Sequence, residues 1–284
     1  MPLATFSERR RALRALLESP ELTIPGSVFD ASSGRMAQAA GYKMGLLGGS
    51  VASAVVLGAP DIVLLTLSDF VEQARRLTRA CDLPLMVDAD HGYGNALNVQ
   101  RTVQDLEAAG VAAMSIEDTL LPRRHGGAEG ELISREEFAG KLKAAMAAKS
   151  DPDLVIVGRT AGVRMGIDEL TARVRICEEA GVDAVFATNV TTVEQVQAIS
   201  SACSVPLYLN ALQIPEADLI KLRVRIVMQG HIPYYVALKS LWDSFQFLRG
   251  GGTPAELGKN ALPPELQAMA LAETEYGERT KEYL

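Results

Sequence analysis

Leu85-Met86-Val87-Asp88-Ala89-Asp90-His91-Gly92-Tyr93-Gly94 runs a short apolar segment straight into two aspartates and a turn marked by two glycines. A brief apolar run bounded by turn residues reads as a buried strand. Acids delivered at the end of such a strand are where a parallel α/β protein places its chemistry. Asp88 and Asp90, two residues apart, are expected to point the same way by strand alternation.

Working outward, similar apolar runs recur near Ile24–Phe29, Met44–Leu47, Ala113–Glu117, Leu154–Arg159, Ala184–Ala187, Leu207–Asn210 and Arg225–Gln229, which with Leu85–Asp88 makes eight candidate strands. Amphipathic stretches of helical length lie between them, including Ser68–Ala80, Ala96–Ala109, Ser134–Ala148, Ile167–Ala180 and Thr192–Ser201. Two of these end in Ala-Gly-Val, where Gly110 and Gly181 can take the left-handed cap conformation.

Alternation of this kind predicts an α/β fold of parallel units, and eight units in about 230 residues suit a (β/α)8 TIM-type barrel, with a doubly wound sheet as the alternative. Residues 1–250 are expected to form the barrel. Residues 251–284, rich in Gly and Pro at the start, are expected to form a C-terminal extension with a final helix, packing on the barrel or on a partner subunit.

The chain has 284 residues, 48% of them apolar and 22% charged, with a net charge of −7. That balance fits a globular domain, and without a long basic run it argues against nucleic acid as a partner. Cys81, Cys177 and Cys203 are odd in number and lack CxxC spacing, which fits a reduced, cytoplasmic setting. Phe6–Glu18 carries four arginines on a helical pattern with no apolar core after it, so no signal peptide is expected. The uncharged stretch Met44–Pro60 is broken by glycine and serine, and reads as a strand, a turn and a short helix rather than a membrane span.

The ends of the candidate strands carry the chemistry. Asp88 and Asp90 end the third, Glu117-Asp118 the fourth, Arg159 the fifth, and Gly230-His231 follows the eighth. Hard oxygen ligands from neighbouring strands suit Mg²⁺, which keeps several waters for outer carboxylates to hold; Mn²⁺ is the alternative. Solvated loop acids or helix caps would produce the same letters, and Pro60-Asp61 reads equally as a turn. Arg159 can clamp a carboxylate through paired hydrogen bonds or make a structural ion pair. His231 offers an imidazole near the same mouth, and Gly48-Gly49-Ser50 could present backbone N–H groups and a hydroxyl to an anionic oxygen. No Walker loop, dinucleotide fingerprint, nucleophile elbow or zinc spacing is present.

Through Gly48-Gly49-Ser50, Asp88-Ala89-Asp90-His91-Gly92-Tyr93-Gly94, Ile116-Glu117-Asp118 and Arg159-Thr160, the chain resembles the isocitrate lyase/phosphoenolpyruvate mutase superfamily over about residues 5 to 250. It is most similar to the oxaloacetate decarboxylase branch. The resemblance implies Asp88 as the direct Mg²⁺ ligand, Asp61, Asp90 and Glu117 as holders of its waters, and Arg159 with Gly49 and Ser50 as substrate-binding groups. It also implies a homotetramer in which pairs of subunits exchange their eighth helices.

The lyases of this superfamily carry a cysteine in a loop that here reads Pro122-Arg123-Arg124-His125-Gly126-Gly127. Cleavage of isocitrate-like acids would therefore lack its usual acid/base group. Ala161-Gly162 and Asn210-Ala211-Leu212 also depart from the decarboxylase pattern. The resemblance implies Mg²⁺-dependent decarboxylation of oxaloacetate, or of a close 2-oxo diacid, to pyruvate and CO₂ through a metal-stabilised enolate. The alternatives are a carbon–carbon lyase using His125 or His231, and a non-catalytic protein that binds oxalate or a 2-oxo acid.

Overall fold

The computed structural model describes residues 3–210 and 213–284. Eight parallel strands run in chain order: β1 (Gly26–Ser27), β2 (Gly45–Leu47), β3 (Leu85–Asp88), β4 (Ala113–Glu117), β5 (Val155–Thr160), β6 (Ala184–Ala187), β7 (Leu207–Leu209) and β8 (Val224–Val227). Thr23, ahead of β1, bridges Ile226 of β8 and closes the ring through Thr23 N–H to Arg225 O (2.7 Å) and Val227 N–H to Thr23 O (3.0 Å). The barrel expected from the alternation is the fold observed.

The strand β1 is shorter than the apolar run around it. Pro25 lies between Thr23 and Gly26 and has no N–H to give the ladder, so the pairing splits into a bridge on one side and a two-residue strand on the other.

The helices are α1 (Phe6–Glu18), α2 (Ala31–Ala39), α3 (Gly49–Leu57), α4 (Leu67–Thr78), α5 (Ala96–Ala108), α6 (Arg135–Ala148), α7 (Ile167–Glu179), α8 (Val193–Ala202) and α9 (Glu216–Lys221). Local chemistry sets their ends. Thr66 and Thr192 cap α4 and α8 with reciprocal bonds to Asp69 and Gln195. Gly110 (φ 89°) and Gly181 (φ 82°) take the left-handed conformation after α5 and α7, as the Ala-Gly-Val pattern predicted.

Strand alternation splits the apolar side chains into two layers. Leu47, Val87, Met114, Ile116 and Ile156 face outward into a core shared with Phe70, Phe138 and Leu142 of the surrounding helices. Leu46, Met86, Ala113, Val155, Val157, Tyr208 and Ile226 fill the barrel together with Leu13 and Leu17 of α1. Arg10 of α1 donates to Val111 O (3.1 Å) and Glu107 O (2.6 Å) and pairs with Asp151 (2.7 Å). Arg14 pairs with Asp183 (2.7 Å). The basic N-terminal segment thus anchors α1 to the barrel.

After β8 comes α10 (Ile232–Arg249), and none of its residues is buried; Trp242 is 60% and Phe245 59% exposed. The extension holds α11 (Pro254–Leu257), α12 (Pro264–Ala270) and a final helix, α13 (Glu273–Tyr283). Pro254 and Pro264 sit in the first turns of their helices, where the missing N–H costs nothing, so each proline starts a new segment. Ala270 of α12 is buried, and its carbonyl accepts from Arg35 of α2 (3.1 Å). Among the described residues no helix is long and apolar enough to cross a membrane. Cys81, Cys177 and Cys203 are all buried and free.

Candidate active site

The same alternation that builds the barrel interior carries it up to the mouth. Met86 points inward, so Asp88 does too; Ala113 precedes Ser115 and Glu117 on the inner face; Val155 and Val157 precede Arg159. Register places Asp88 beside Ser115 and Glu117 beside Arg159 on adjacent strands. These side chains line a cavity of about 860 Å³ at the C-terminal strand ends, together with Gly48, Ser50, Asp61, Asp90 and His231.

Asp90 reaches the cavity by another route than the one expected. The strand stops at Asp88, and Asp90 has φ 47°, a left-handed conformation that turns its carboxylate inward. Its carbonyl is held by Glu117 N–H at 2.8 Å. Gly49 does not line the cavity but makes room for this acid, since a Cβ there would lie 2.9 Å from Asp90 Oδ1. His231, between β8 and α10, lies over Gly48, with Nδ1 2.7 Å from Ser27 Oγ.

Arg159 is ion-paired with Asp88, and its Nε lies 3.0 Å from Glu117 Oε2 without the alignment of a hydrogen bond. Ser115 Oγ donates to Asp88 Oδ1 at 3.2 Å. Burial raises the Asp90 carboxyl well above the usual range, with Asp88, Glu117 and Asp61 adding repulsion and Arg159 opposing it. Burial also pushes Glu117 up to about 7 against the pull of Arg159, and raises Asp61 with help from Asp88. Burial lowers the His231 imidazole, with Asp88 opposing.

Four carboxyl groups around one guanidinium leave more acids than cations at the mouth, and a hard cation is what such oxygen donors fit. Among the described residues no three His, Cys, Asp or Glu side chains converge tightly enough to hold one ion between them. Carboxylates set apart in this way suit a hard divalent cation that keeps some of its waters.

Neighbouring candidates go elsewhere. Asp118 points outward, fully buried, and accepts from Thr160 Oγ1, Ala161 N–H (3.2 Å) and Arg173 Nη1 (3.1 Å). His91 is buried away from the cavity, and burial with Lys141 nearby lowers its imidazole to about 4. His125 is exposed and does not reach the cavity. Ala211 and Leu212 lie outside the described residues. The sequence reading missed Ser115, Thr119 and Arg164 as cavity residues. Alternation from Glu117 would have found the first two.

The phosphoenolpyruvate phosphomutase family matches residues 13–248, most of the barrel and α10. The chain belongs to this family. Within it, a Bradyrhizobium sp. (strain BTAi1) protein named oxaloacetate decarboxylase is 46% identical over 284 residues, covering 99% of this chain and 98% of the relative. A Rhodopseudomonas palustris (strain BisB5) protein of the same name is 49% identical over 256 residues, covering 89% of each.

Among solved structures, phosphonopyruvate hydrolase in complex with oxalate and Mg²⁺ aligns with a TM-score of 0.84 at 29% identity, covering 97% of this chain and 99% of that one. Oxaloacetate acetylhydrolase with its product oxalate also gives 0.84, at 26% identity, covering 98% and 99%. The superfamily resemblance read from the motifs is thereby confirmed.

Proposed function

We propose that this chain is a Mg²⁺-dependent carboxy-lyase that converts oxaloacetate to pyruvate and CO₂. The observation that carries the reading is the convergence of Asp88, Asp90, Glu117 and Arg159 at one barrel mouth, in a chain 46% identical along its length to relatives named oxaloacetate decarboxylase.

Asp88 would hold the cation directly, while Asp61, Asp90 and Glu117 would hold its remaining water ligands. When bound, the cation supplies a Lewis acid that draws electron density toward the 2-oxo oxygen as the C3–C4 bond breaks. Arg159 would clamp the C1 carboxylate, its guanidinium fixed in place by Asp88 and Glu117. The Ser50 hydroxyl, which lines the cavity, would support the developing enolate oxygen, and Gly49 would serve by leaving room for Asp90.

A buried imidazole whose proton affinity is lowered is neutral near pH 7. Ser27 Oγ and His231 Nδ1 share a hydrogen bond at 2.7 Å, and if the Ser27 hydroxyl is its donor, the His231 proton would sit on Nε2, beside Gly48. From there it would assist the delivery of a proton from solvent to C3 as the C3–C4 bond breaks. The exposed position of His125 weighs against it as the acid/base group of the carbon–carbon lyase alternative, whose other candidate is His231.

Purified protein with Mg²⁺ should form pyruvate from oxaloacetate well above the metal-only background. Asp88→Ala should lower that rate at least ~100-fold, and unchanged turnover in this variant would sink the reading. The unburied apolar side chains of α10 support a homo-oligomer, a tetramer of paired subunits with exchanged α10 helices. Sedimentation of the intact chain tests it, and a stable monomer at micromolar concentration rules it out. The three buried free thiols suit a cytoplasmic setting.

A further inference from the structure

Arg164 lies in the short 3₁₀ turn Gly162–Met165 that follows β5, and it lines the same cavity as Asp88 and Arg159. Its guanidinium is laid against Gly130 of the β4–α6 loop, in space that a Cβ at 130 would need. Gly130 (φ 72°) also has a backbone conformation that suits glycine. Loop backbone and guanidinium thus meet at the rim because residue 130 has no side chain.

What Arg164 lacks, among the described residues, is a carboxylate partner. Arg159, Arg173 and Arg135 are each held by a carboxylate. Arg164 has no carboxylate partner among the described residues, although Glu129 lines the same rim. The strand ends around the rest of the mouth contribute neutral groups, Thr188, Asn189 and Asn210 among them. A dianion entering a cavity crowded with acids would find one guanidinium already paired deep inside and one unpaired at the rim.

We propose that Arg164 is the specificity residue that recognises the distal carboxylate of the substrate and so selects a 2-oxo diacid over a monoacid. The assignment rests on the oxaloacetate reading and extends it to the choice of substrate. It carries a kinetic signature. The distal carboxylate leaves as neutral CO₂, so a cation at the rim gains nothing extra in the transition state and at most holds it as well as the ground state. Arg164 therefore acts on capture, lowering KM, and does not raise kcat. Its exposed place on the rim, rather than beside the buried acids, fits that division of labour.

Two probes separate the possibilities: oxalate, which has no distal arm, and 3,3-difluorooxaloacetate, which has one. With Mg²⁺ present, Arg164→Gln should weaken 3,3-difluorooxaloacetate roughly tenfold by calorimetry, the range of a charge-assisted hydrogen bond at an accessible site. Oxalate affinity should change less than about twofold, KM for oxaloacetate should rise roughly tenfold, and kcat should stay within about twofold. Arg164→Lys should recover part of the loss, since it restores the charge without the planar fork. Gly130→Ala, which displaces the guanidinium, should shift the same ligand in the same direction.

Unchanged 3,3-difluorooxaloacetate binding in Arg164→Gln overturns the assignment. Equal losses for both ligands overturn it too, because the side chain would then act on the mouth as a whole. If the unaltered protein binds neither ligand and does not turn over oxaloacetate, the decarboxylase reading fails, and the Arg164 assignment falls with it.

Discussion

The imidazole Nε2 of His231 lies 2.1 Å from where a Cβ on residue 48 would sit, too close for both to be present. Gly48 has φ −85° and ψ 152°, which any residue can adopt, so glycine is needed here for space and not for backbone freedom. Gly48→Ala should push the ring off Ser27 while leaving the β2 turn intact. The expected result is a fall in kcat of about tenfold, the cost of a misoriented group, with oxalate binding in Mg²⁺ retained. His231→Gln should fall similarly, and the double variant should lose no more than either alone, because both remove one function. Additive losses in steady-state kinetics would separate the two residues.

Adjacent acids on β4 and just beyond it should behave oppositely. Glu117 faces the mouth, while Asp118 is buried against Arg173 and Thr160. Asp118→Ala leaves the buried Arg173 guanidinium with Glu169 as its one remaining carboxylate. Removing one partner of a buried pair costs about 3–5 kcal/mol. Urea denaturation should show that loss, while Mg²⁺-dependent oxalate binding of the folded protein stays near normal. For Glu117→Gln the order reverses, with little change in stability and a large loss of metal response.

Asp151 gives a pH signature far from the mouth. Burial is the largest single influence and raises its carboxyl, but hydrogen bonds from Arg10, Ser7 and the Asp153 N–H, with the Arg10 charge, together outweigh it and hold the group down at about 2. A carboxyl lowered in the folded state stabilises fully above its unfolded value, near 3.8, and loses that contribution as pH falls toward 2. Asp151→Asn should therefore be about 2 kcal/mol less stable than the unaltered chain at pH 6. The gap should close between pH 4 and pH 2 in denaturation curves. A gap independent of pH would mean that the ion pair with Arg10 is not its source.

Much of the fold could be read from letters because buried parallel strands need apolar runs and their helices need amphipathic ones. Asp88, Glu117 and Arg159 were legible for the same reason: alternation along β3, β4 and β5 carries an apolar inner layer up to polar ends. Asp90 was found by a rule that stops applying at Asp88, since a left-handed backbone and not a pleat turns it inward. Arg164 was invisible because its place depends on contact with Gly130, thirty-four residues earlier in the chain and on another loop. The divided β1 and the three-part extension turn on prolines whose effect depends on which neighbouring group goes unpaired.

The unburied helix α10 starts immediately after His231, and its first turn already touches the barrel through the Tyr234 ring, 5.2 Å from Phe29. A partner subunit packed on that helix would therefore also bear on the backbone that holds the imidazole. An enzyme built this way would sense its own dilution: specific activity should fall with protein concentration before any strand of the barrel loosens, so that assembly works as a dial on turnover.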